Sequence, residues 1–159
     1  MRKVLKWIGI VLGSLVGILL VAVVVMYFVG KSKVGRTYPA PAGVVAAGSV
    51  VAAIARGEHV MRIQMCQECH GDDLGGKEWL DIPPGKINPP NLTRGRGGIG
   101  TKYGPQDWDR AIRYGLRADH TSVLPFMPWE MFHRLNDADA ADLASYLALY
   151  QSAPQPASG

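Results

Sequence analysis

Two cysteines separated by two residues and followed at once by a histidine constrain this chain more than any other feature. The segment 65–71 reads Met-Cys-Gln-Glu-Cys-His-Gly, and its C-x-x-C-H motif consists of Cys66, Cys69 and His70. In this motif both thiols add to the vinyl groups of a haem, and the histidine becomes the proximal iron ligand. One helical turn places both sulfurs on one porphyrin edge and brings the imidazole under the iron. The motif therefore predicts one covalently attached haem c.

Zinc binding, dithiol chemistry and a disulfide are the alternatives for this cysteine pair. A structural zinc site needs about four ligands. Because the chain has 2 cysteines, two of His59, His120 and His133 would have to complete such a site. A thioredoxin-like dithiol follows a strand in a βαβ unit, a context that is missing here. A plain disulfide would suit an envelope protein, but the histidine directly after the pair favours haem.

The N-terminal region reads as a membrane anchor. From Trp7 to Val29 there are 23 residues without a charged side chain, mostly Val, Leu and Ile. A helix of that length spans a hydrocarbon core of ~30 Å. A cleavable signal peptide is the competing interpretation, but its apolar region is typically ~7–15 residues and ends at a small-residue cleavage site. We therefore predict an uncleaved transmembrane helix within residues 1–30.

The positive charge of the chain belongs to this anchor and not to the rest. The formal net charge is +4, and the six basic residues that flank the apolar stretch are Arg2, Lys3, Lys6, Lys31, Lys33 and Arg36. Residues 37–159 carry 11 Lys and Arg against 13 Asp and Glu, a net charge of −2. This distribution suits lipid headgroups and excludes nucleic-acid binding, which needs the basic excess in the folded domain. Three basic residues on each side leave the orientation open. The haem decides it, with the N-terminus cytoplasmic and the haem domain periplasmic or extracytoplasmic.

The remaining chain is expected to form one helical domain. Residues 31–47 read as a linker, 48–151 as the domain and 152–159 as a flexible tail. Helical patterns precede the haem motif, open at Pro105 and stop at Gly115, and begin again at Asn136, a good N-cap. Residues 71–103 are rich in proline and glycine and predict loop. The expected fold class is all-α, with three main helices and long loops around one haem.

The sixth iron ligand must come from outside the motif, and Met127 is the preferred candidate. It lies between Pro125 and Pro128 in a loop that separates two predicted helices. A rigid backbone suits a thioether held on iron, although a methionine is also an ordinary core residue. Met131 is the alternative, followed by His120 and His133, whereas Met61 and Met65 lie too close to the motif. Three aromatic residues could line the haem crevice or simply fill the core: Trp79, Trp108 and Trp129.

This succession of helix, C-x-x-C-H, proline-rich loop, helix, methionine loop and helix resembles a class I cytochrome c domain over residues 48–151. Two stretches are similar to the cytochrome domains of membrane dehydrogenase cytochrome subunits. They are Asn-Leu-Thr at 91–93 with Gly-Ile-Gly at 98–100, and Leu-Pro-Phe-Met-Pro-Trp at 124–129 with Leu-Asn-Asp at 135–137. The resemblance implies that Met127 ligates iron. Those subunits usually carry three haem motifs, whereas this chain carries one.

Single-electron transfer is the expected function, with His70 and Met127 closing both axial positions. The chain would be a carrier or an electron-relay subunit of a respiratory or photosynthetic complex. Its expected partners are the membrane, through the N-terminal helix, and protein redox partners, either free or as subunits of a larger membrane complex. We expect no catalytic residues. The alternative is a haem enzyme or gas sensor, which needs an open or displaceable sixth position.

Overall fold

The computed structural model describes residues 2–44, 50–83, 85–123 and 126–150. The chain divides into two units, residues 1–36 and 37–159. The expected tail at 152–159, the last part of the expected linker at 45–47, and Leu124 and Pro125 lie outside the described residues. In the described part the fold is mostly helical, as the sequence predicts, with an N-terminal apolar helix and a cytochrome c domain.

The first unit is a single helix, α1, Arg2–Val34. It contains a span, Arg2–Lys33, that is long and apolar enough to cross a membrane. None of the most apolar window is buried by the rest of the protein, so its Val, Leu and Ile side chains lack an internal core to pack against. A bilayer would supply the missing apolar contact, so α1 fits a membrane anchor.

The second unit is built on two helices that cross closely, α2, Val50–Ile63, and α6, Asp137–Leu149. Gly57 makes the crossing possible, since a Cβ atom there would lie 2.2 Å from the carbonyl oxygen of Asp142. Apolar side chains of both helices enter the buried cluster, Val60 and Met61 from α2 and Leu143 from α6. Asp142 also accepts a hydrogen bond from Arg56 Nη2 at 2.9 Å, which joins the helices on their polar side.

The sequence signals for the other helices are confirmed. Helix α4 is Pro105–Tyr114, and Gly115 ends it in the left-handed region at φ 64°. Asn136 caps α6 by accepting a hydrogen bond from the backbone N–H of Asp139 at 2.9 Å. Two short helical turns complete the set, α3 at Cys66–His70 and α5 at Trp129–Phe132.

The region 71–103 is mainly loop, with two short regular pieces. Strands β1, Leu80–Ile82, and β2, Gly85–Ile87, form an antiparallel hairpin. A 3₁₀ turn occupies Gly100–Lys102. The sequence indicates neither, because three-residue elements are too short to show a periodic pattern.

Residues 37–44, which we call the strap, are the first residues of the second unit, and they lie against α4 and the turn at 120–121. Thr37 forms a bridge with Thr121, and the Tyr38 N–H donates to the His120 carbonyl at 3.0 Å. Further along, Val44 N–H donates to Asp109 Oδ2 at 3.1 Å. Within the described part of the expected linker, residues 31–44, the chain therefore comprises the end of α1, then Gly35 and Arg36, and then the strap.

Candidate haem-binding site

The C-x-x-C-H motif forms the separate helical turn α3, set apart from α2 by Met65. Met65 has φ 54°, in the left-handed region that a non-glycine residue seldom adopts. Its carbonyl still accepts the N–H of Glu68 at 3.1 Å, so α3 begins immediately after the break. The positive φ at Met65 therefore interrupts the helical backbone between α2 and α3.

Both cysteines are half-buried thiols outside any disulfide. Cys66 packs against the buried apolar cluster. Burial raises the pKa of its thiol to about 11, because a thiolate there would lose its hydration. Two reduced sulfurs one helical turn apart are the arrangement that thioether attachment of a haem requires.

His70 is buried, and its ring is held by one backbone oxygen. Nδ1 lies 2.9 Å from the carbonyl oxygen of Pro90, and because a carbonyl can only accept, Nδ1 carries the proton. Burial lowers the pKa of His70, while the bond to Pro90 acts in the opposite direction. The imidazole is therefore neutral at neutral pH. A neutral ring oriented through Nδ1, with Nε2 left as an acceptor, is the usual state of a metal-ligating histidine.

Two loops meet to bring the Pro90 carbonyl to His70. Gly76, at φ 82°, lies so close to the second loop that a Cβ atom would be 2.9 Å from the carbonyl oxygen of Pro89. The N–H of Gly76 donates to the His70 carbonyl at 2.7 Å, and the N–H of Leu92 donates to the Leu74 carbonyl at 2.8 Å. The chain on either side of Pro90 is thereby fixed relative to α3.

A compact turn stiffens the loop beyond Pro90. Asn91 Oδ1 accepts from the backbone N–H of Thr93 at 2.8 Å and from its hydroxyl at 2.7 Å. The Thr93 hydroxyl in turn accepts the N–H of Gly95 at 3.0 Å. Thr93 is fully buried, whereas its partners Asn91 and Gly95 are half-buried. The sequence did not identify the role of Pro90; the Pro-Pro-Asn run at 89–91 is the signal that could have indicated a rigid acceptor there.

The structure separates the methionines that were considered as the sixth ligand. Met127 is half-buried and packs against the same apolar cluster as Cys66. Met61 lies inside that cluster at 2% exposure, which is a packing role. Met65 and Met131 are 66% and 72% exposed.

The two histidine alternatives are exposed, unlike the buried His70. His133 donates from Nδ1 to the carbonyl oxygen of Arg113 at 2.8 Å. His120 is exposed and has φ 64° in the turn that pairs with the strap. Within the described ranges, no group of three or more His, Cys, Asp or Glu side chains is placed to hold a metal ion. This geometry disfavours the zinc alternative for the cysteine pair.

Trp108 provides an independent test of whether the residues fit a haem. Its side chain is 3% exposed and belongs to the buried cluster. Its Nε1–H is buried and has no acceptor among the residues that the structure describes. A buried donor without a partner is costly, and a haem carries two propionate groups that could supply an acceptor oxygen. The apolar cluster, the free thiols, the neutral histidine and this unpaired donor all fit the group.

The other two tryptophans are placed differently. Trp79 is 42% exposed, and its ring meets Phe126 edge-on at a centroid distance of 6.3 Å. The ring of Trp129 lies over Gly115, where a Cβ atom would be 2.7 Å from Trp129 Cδ1. Of the three tryptophans, Trp108 is therefore the one that is both buried and in need of a polar partner.

Sequence comparisons identify proteins that are similar to this chain. The cytochrome subunit of fructose dehydrogenase from Gluconobacter japonicus is 33% identical over 100 residues, covering 59% of this chain and 20% of the relative. The cytochrome c subunit of the quinone-dependent alcohol dehydrogenase from Gluconobacter oxydans (strain 621H) is 39% identical over 93 residues, covering 55% and 19%. The gluconate 2-dehydrogenase cytochrome c subunit from Pantoea cypripedii is 30% identical over 100 residues, covering 60% and 22%.

The chain spans about a fifth of the length of these relatives. The names of all three describe cytochrome subunits of dehydrogenases. Residues 52–147, more than half of the chain, match the family described as cytochrome c oxidase, cbb3-type, subunit III. The chain therefore belongs to that family, whose cytochrome c domain implies electron transfer by covalently bound haem c.

Proposed function

We propose that this protein transfers single electrons at the outer face of a membrane through one haem c, held by Cys66, Cys69, His70 and Met127. Covalently bound haem c supplies a one-electron Fe(III)/Fe(II) couple. The observation that carries the proposal is the buried, neutral His70 oriented by the Pro90 carbonyl, directly after two half-buried thiols. No other feature of the described residues combines free sulfur, a histidine ready to ligate and an apolar surrounding.

Each of the four residues has a distinct task. Cys66 and Cys69 would form the two thioether bonds to the haem. His70 would ligate iron through Nε2, with its ring orientation held by the bond from Nδ1–H to the Pro90 oxygen. Met127 would contribute a soft thioether, which favours Fe(II) and raises the reduction potential relative to two nitrogen ligands. Two protein ligands in both oxidation states would leave little to move during electron transfer.

Carbon monoxide binding to the reduced, detergent-purified protein tests this ligand set. Wild-type protein should keep its absorption spectrum when carbon monoxide is added, because Met127 closes the sixth position. Met127→Ala should bind the gas and shift the spectrum. Met131→Ala is the matched control and should behave as wild type, since the Met131 side chain is 72% exposed. A wild-type protein that binds carbon monoxide freely would instead support the haem enzyme or gas sensor alternative.

The number of haems and the means of attachment need a separate measurement. The single C-x-x-C-H motif predicts one haem per chain, measured as the ratio of haem iron to protein. Cys66→Ser with Cys69→Ser should leave no haem that survives denaturing electrophoresis. Retention of covalent haem by this double variant would contradict the attachment site.

The side of the membrane on which the haem domain lies can be tested separately. We propose that α1 anchors the chain with its N-terminus in the cytoplasm and the haem domain outside. Protease added to intact spheroplasts should then remove the haem domain, whereas an inward-facing domain would resist cleavage.

The relatives are cytochrome subunits of dehydrogenases, so we expect the donor or acceptor to be an oxidoreductase complex. Recovery of the chain with such a complex in mild detergent would favour a relay subunit, and recovery alone would favour a carrier.

A further inference from the structure

We propose that the strap, residues 37–44, is more than a linker to α1. It holds in place the loop that carries Met127, and electron transfer therefore depends on it. This inference rests on the proposed function, in which Met127 is the sixth ligand. The strap lies N-terminal to the region that matches the family, which begins at residue 52. It follows directly after Gly35 and Arg36, the two residues between α1 and the second unit.

The Met127 loop, which we define as the chain between Val123 and His133, is bonded at both of its ends to the C-terminal end of α4. On the entry side, the N–H of Val123 donates to the Gly115 carbonyl at 2.8 Å. On the exit side, His133 Nδ1–H donates to the Arg113 carbonyl at 2.8 Å. Because Arg113 lies in the last turn of α4 and Gly115 is its C-cap, any shift of this helix end moves both anchor points of the loop.

The strap contacts the entry side of the loop directly. The chain from Gly115 to Val123 makes a tight excursion in which Leu116 forms a bridge with Ser122. The outer part of the excursion pairs with the strap, through the Thr37–Thr121 bridge and the bond from the Tyr38 N–H to the His120 carbonyl at 3.0 Å. The strap thus holds the segment that leads into the Met127 loop.

The strap reaches the exit side through a buried ion pair. Val44 N–H donates to Asp109 Oδ2 at 3.1 Å, and Asp109 is fully buried. Asp109 Oδ1 receives Arg113 Nε at 2.6 Å. Arg113 Nη1 then contacts the Leu135 carbonyl at 3.4 Å and Asp137 Oδ1 at 2.7 Å. Three hydrogen-bonding steps therefore connect the strap to the residues that follow the loop.

Close packing fixes the strap along α4 between these two ends. Arg110 Nε donates to the carbonyl oxygen of Pro41 at 2.9 Å. Gly43 lies against the α4 backbone so closely that a Cβ atom would be 2.6 Å from the Gln106 carbonyl oxygen and 2.7 Å from its Cα atom. Neither atom can move without moving α4. Any side chain at position 43 therefore has to lift the strap away from α4.

Gly43→Ala in the full-length, detergent-solubilised holoprotein tests the proposal. Gly35→Ala is the matched control, because its Cβ atom would meet only the Lys31 carbonyl oxygen at 3.8 Å. We measure the affinity of the reduced protein for carbon monoxide, together with the thermal midpoint that shows the variant is folded at the assay temperature. Lifting the strap would break three hydrogen bonds of its backbone, those of Tyr38 N–H, the Pro41 carbonyl and Val44 N–H. The population without Met127 on iron should therefore rise about tenfold or more, and the apparent affinity by the same factor.

The outcomes separate the strap proposal from the proposed ligand set. Tighter carbon monoxide binding in folded Gly43→Ala, with Gly35→Ala at the wild-type value, supports the strap. A lowered thermal midpoint with wild-type carbon monoxide affinity overturns it, because the strap would then contribute stability alone. Wild-type protein that already binds the gas as tightly as Met127→Ala removes Met127 as ligand, and the strap proposal falls with it.

Arg110→Lys keeps the question answerable should Gly43→Ala fail to fold. Lysine retains a cation near Asp107, which pairs with Arg110 at 3.0 Å, but it lacks the Nε–H that binds Pro41. We expect a smaller rise in carbon monoxide affinity of the same sign. A folded Arg110→Lys protein with the wild-type affinity would overturn the proposal.

Discussion

Breaking the buried pair between Asp109 and Arg113 should cost far more stability than breaking an exposed pair of the same spacing. Asp109 is 0% exposed and Arg113 is 6% exposed, and their side chains meet at 2.6 Å and 3.2 Å. Removing one partner of a buried pair costs about 3–5 kcal/mol, because the other charge stays buried without compensation. Asp109→Leu leaves Arg113 in contact with Asp137, which favours the lower end, about 3 kcal/mol. The Val44 N–H also loses its acceptor, which adds about 1 kcal/mol.

Urea unfolding of the detergent-solubilised holoprotein measures this cost through the Soret absorption, which reports the haem domain and not α1. Glu58→Gln is the control, since Glu58 and Arg62 have the same four-residue spacing but are exposed. That variant should unfold at the wild-type midpoint.

A double-mutant cycle completes the test of the buried pair. Asp109→Leu combined with Arg113→Met should cost less than the sum of the two single changes, because the double variant leaves no unpaired buried charge. Additive costs, or an Asp109→Leu variant within about 1 kcal/mol of wild type, would refute the reasoning.

Three further changes test the packing and the pH dependence of the domain. Gly57→Ala should destabilise the domain by about 1–3 kcal/mol in urea unfolding, since its Cβ atom would lie 2.2 Å from the Asp142 carbonyl oxygen. Thr93→Val should cost about 1–3 kcal/mol in the same assay, because the buried hydroxyl that accepts the Gly95 N–H is lost. Burial raises the pKa of Tyr146 to about 12 from an ordinary 10.0, so its contribution is complete below pH 10 and is lost as the pH rises towards 12. Tyr146→Phe should therefore lose less stability than wild type between those pH values.

Each of these changes has a control that alters the same atoms in a different setting. Gly85→Ala adds a methyl group where nothing lies within 4 Å, and it should leave the unfolding midpoint unchanged. Thr101→Val removes an exposed hydroxyl, and a cost equal to that of Thr93→Val would show that burial is irrelevant. Tyr114→Phe makes the same chemical change in a half-buried residue at the end of α4, and its stability should follow that of wild type between those pH values.

The sequence was informative where the structural cause is local. Helix α4 could be bounded from Pro105 and Gly115 because a proline at the first position and a glycine after the last act within one turn of the chain. The same holds for Asn136, whose side chain reaches only to Asp139. The apolar run that becomes α1 and the spacing of Cys66, Cys69 and His70 are also local signals.

The parts that escaped prediction depend on contacts between residues far apart in the chain. Met65 has a positive φ, and a methionine in the sequence gives no sign of that conformation. Pro90 became the partner of His70 because the loops around Gly76 and Leu92 pack together. The strap read as linker because its bonds to α4 cross about 65 residues of sequence.

Helix α4 is bonded both to the strap and to the residues that follow the Met127 loop. Its charged residues at positions 109 and 113 would ordinarily be assigned to a solvated face, since charged side chains are seldom fully buried unless paired. Here both are buried, and their partners are the strap on one side and the residues after the Met127 loop on the other. Helix α4 therefore binds the strap, which follows the anchor in sequence, and its C-terminal end is bonded to both ends of the loop that carries Met127. Because a buried pair is strongly coupled, a change at either side of α4 is expected to reach the other.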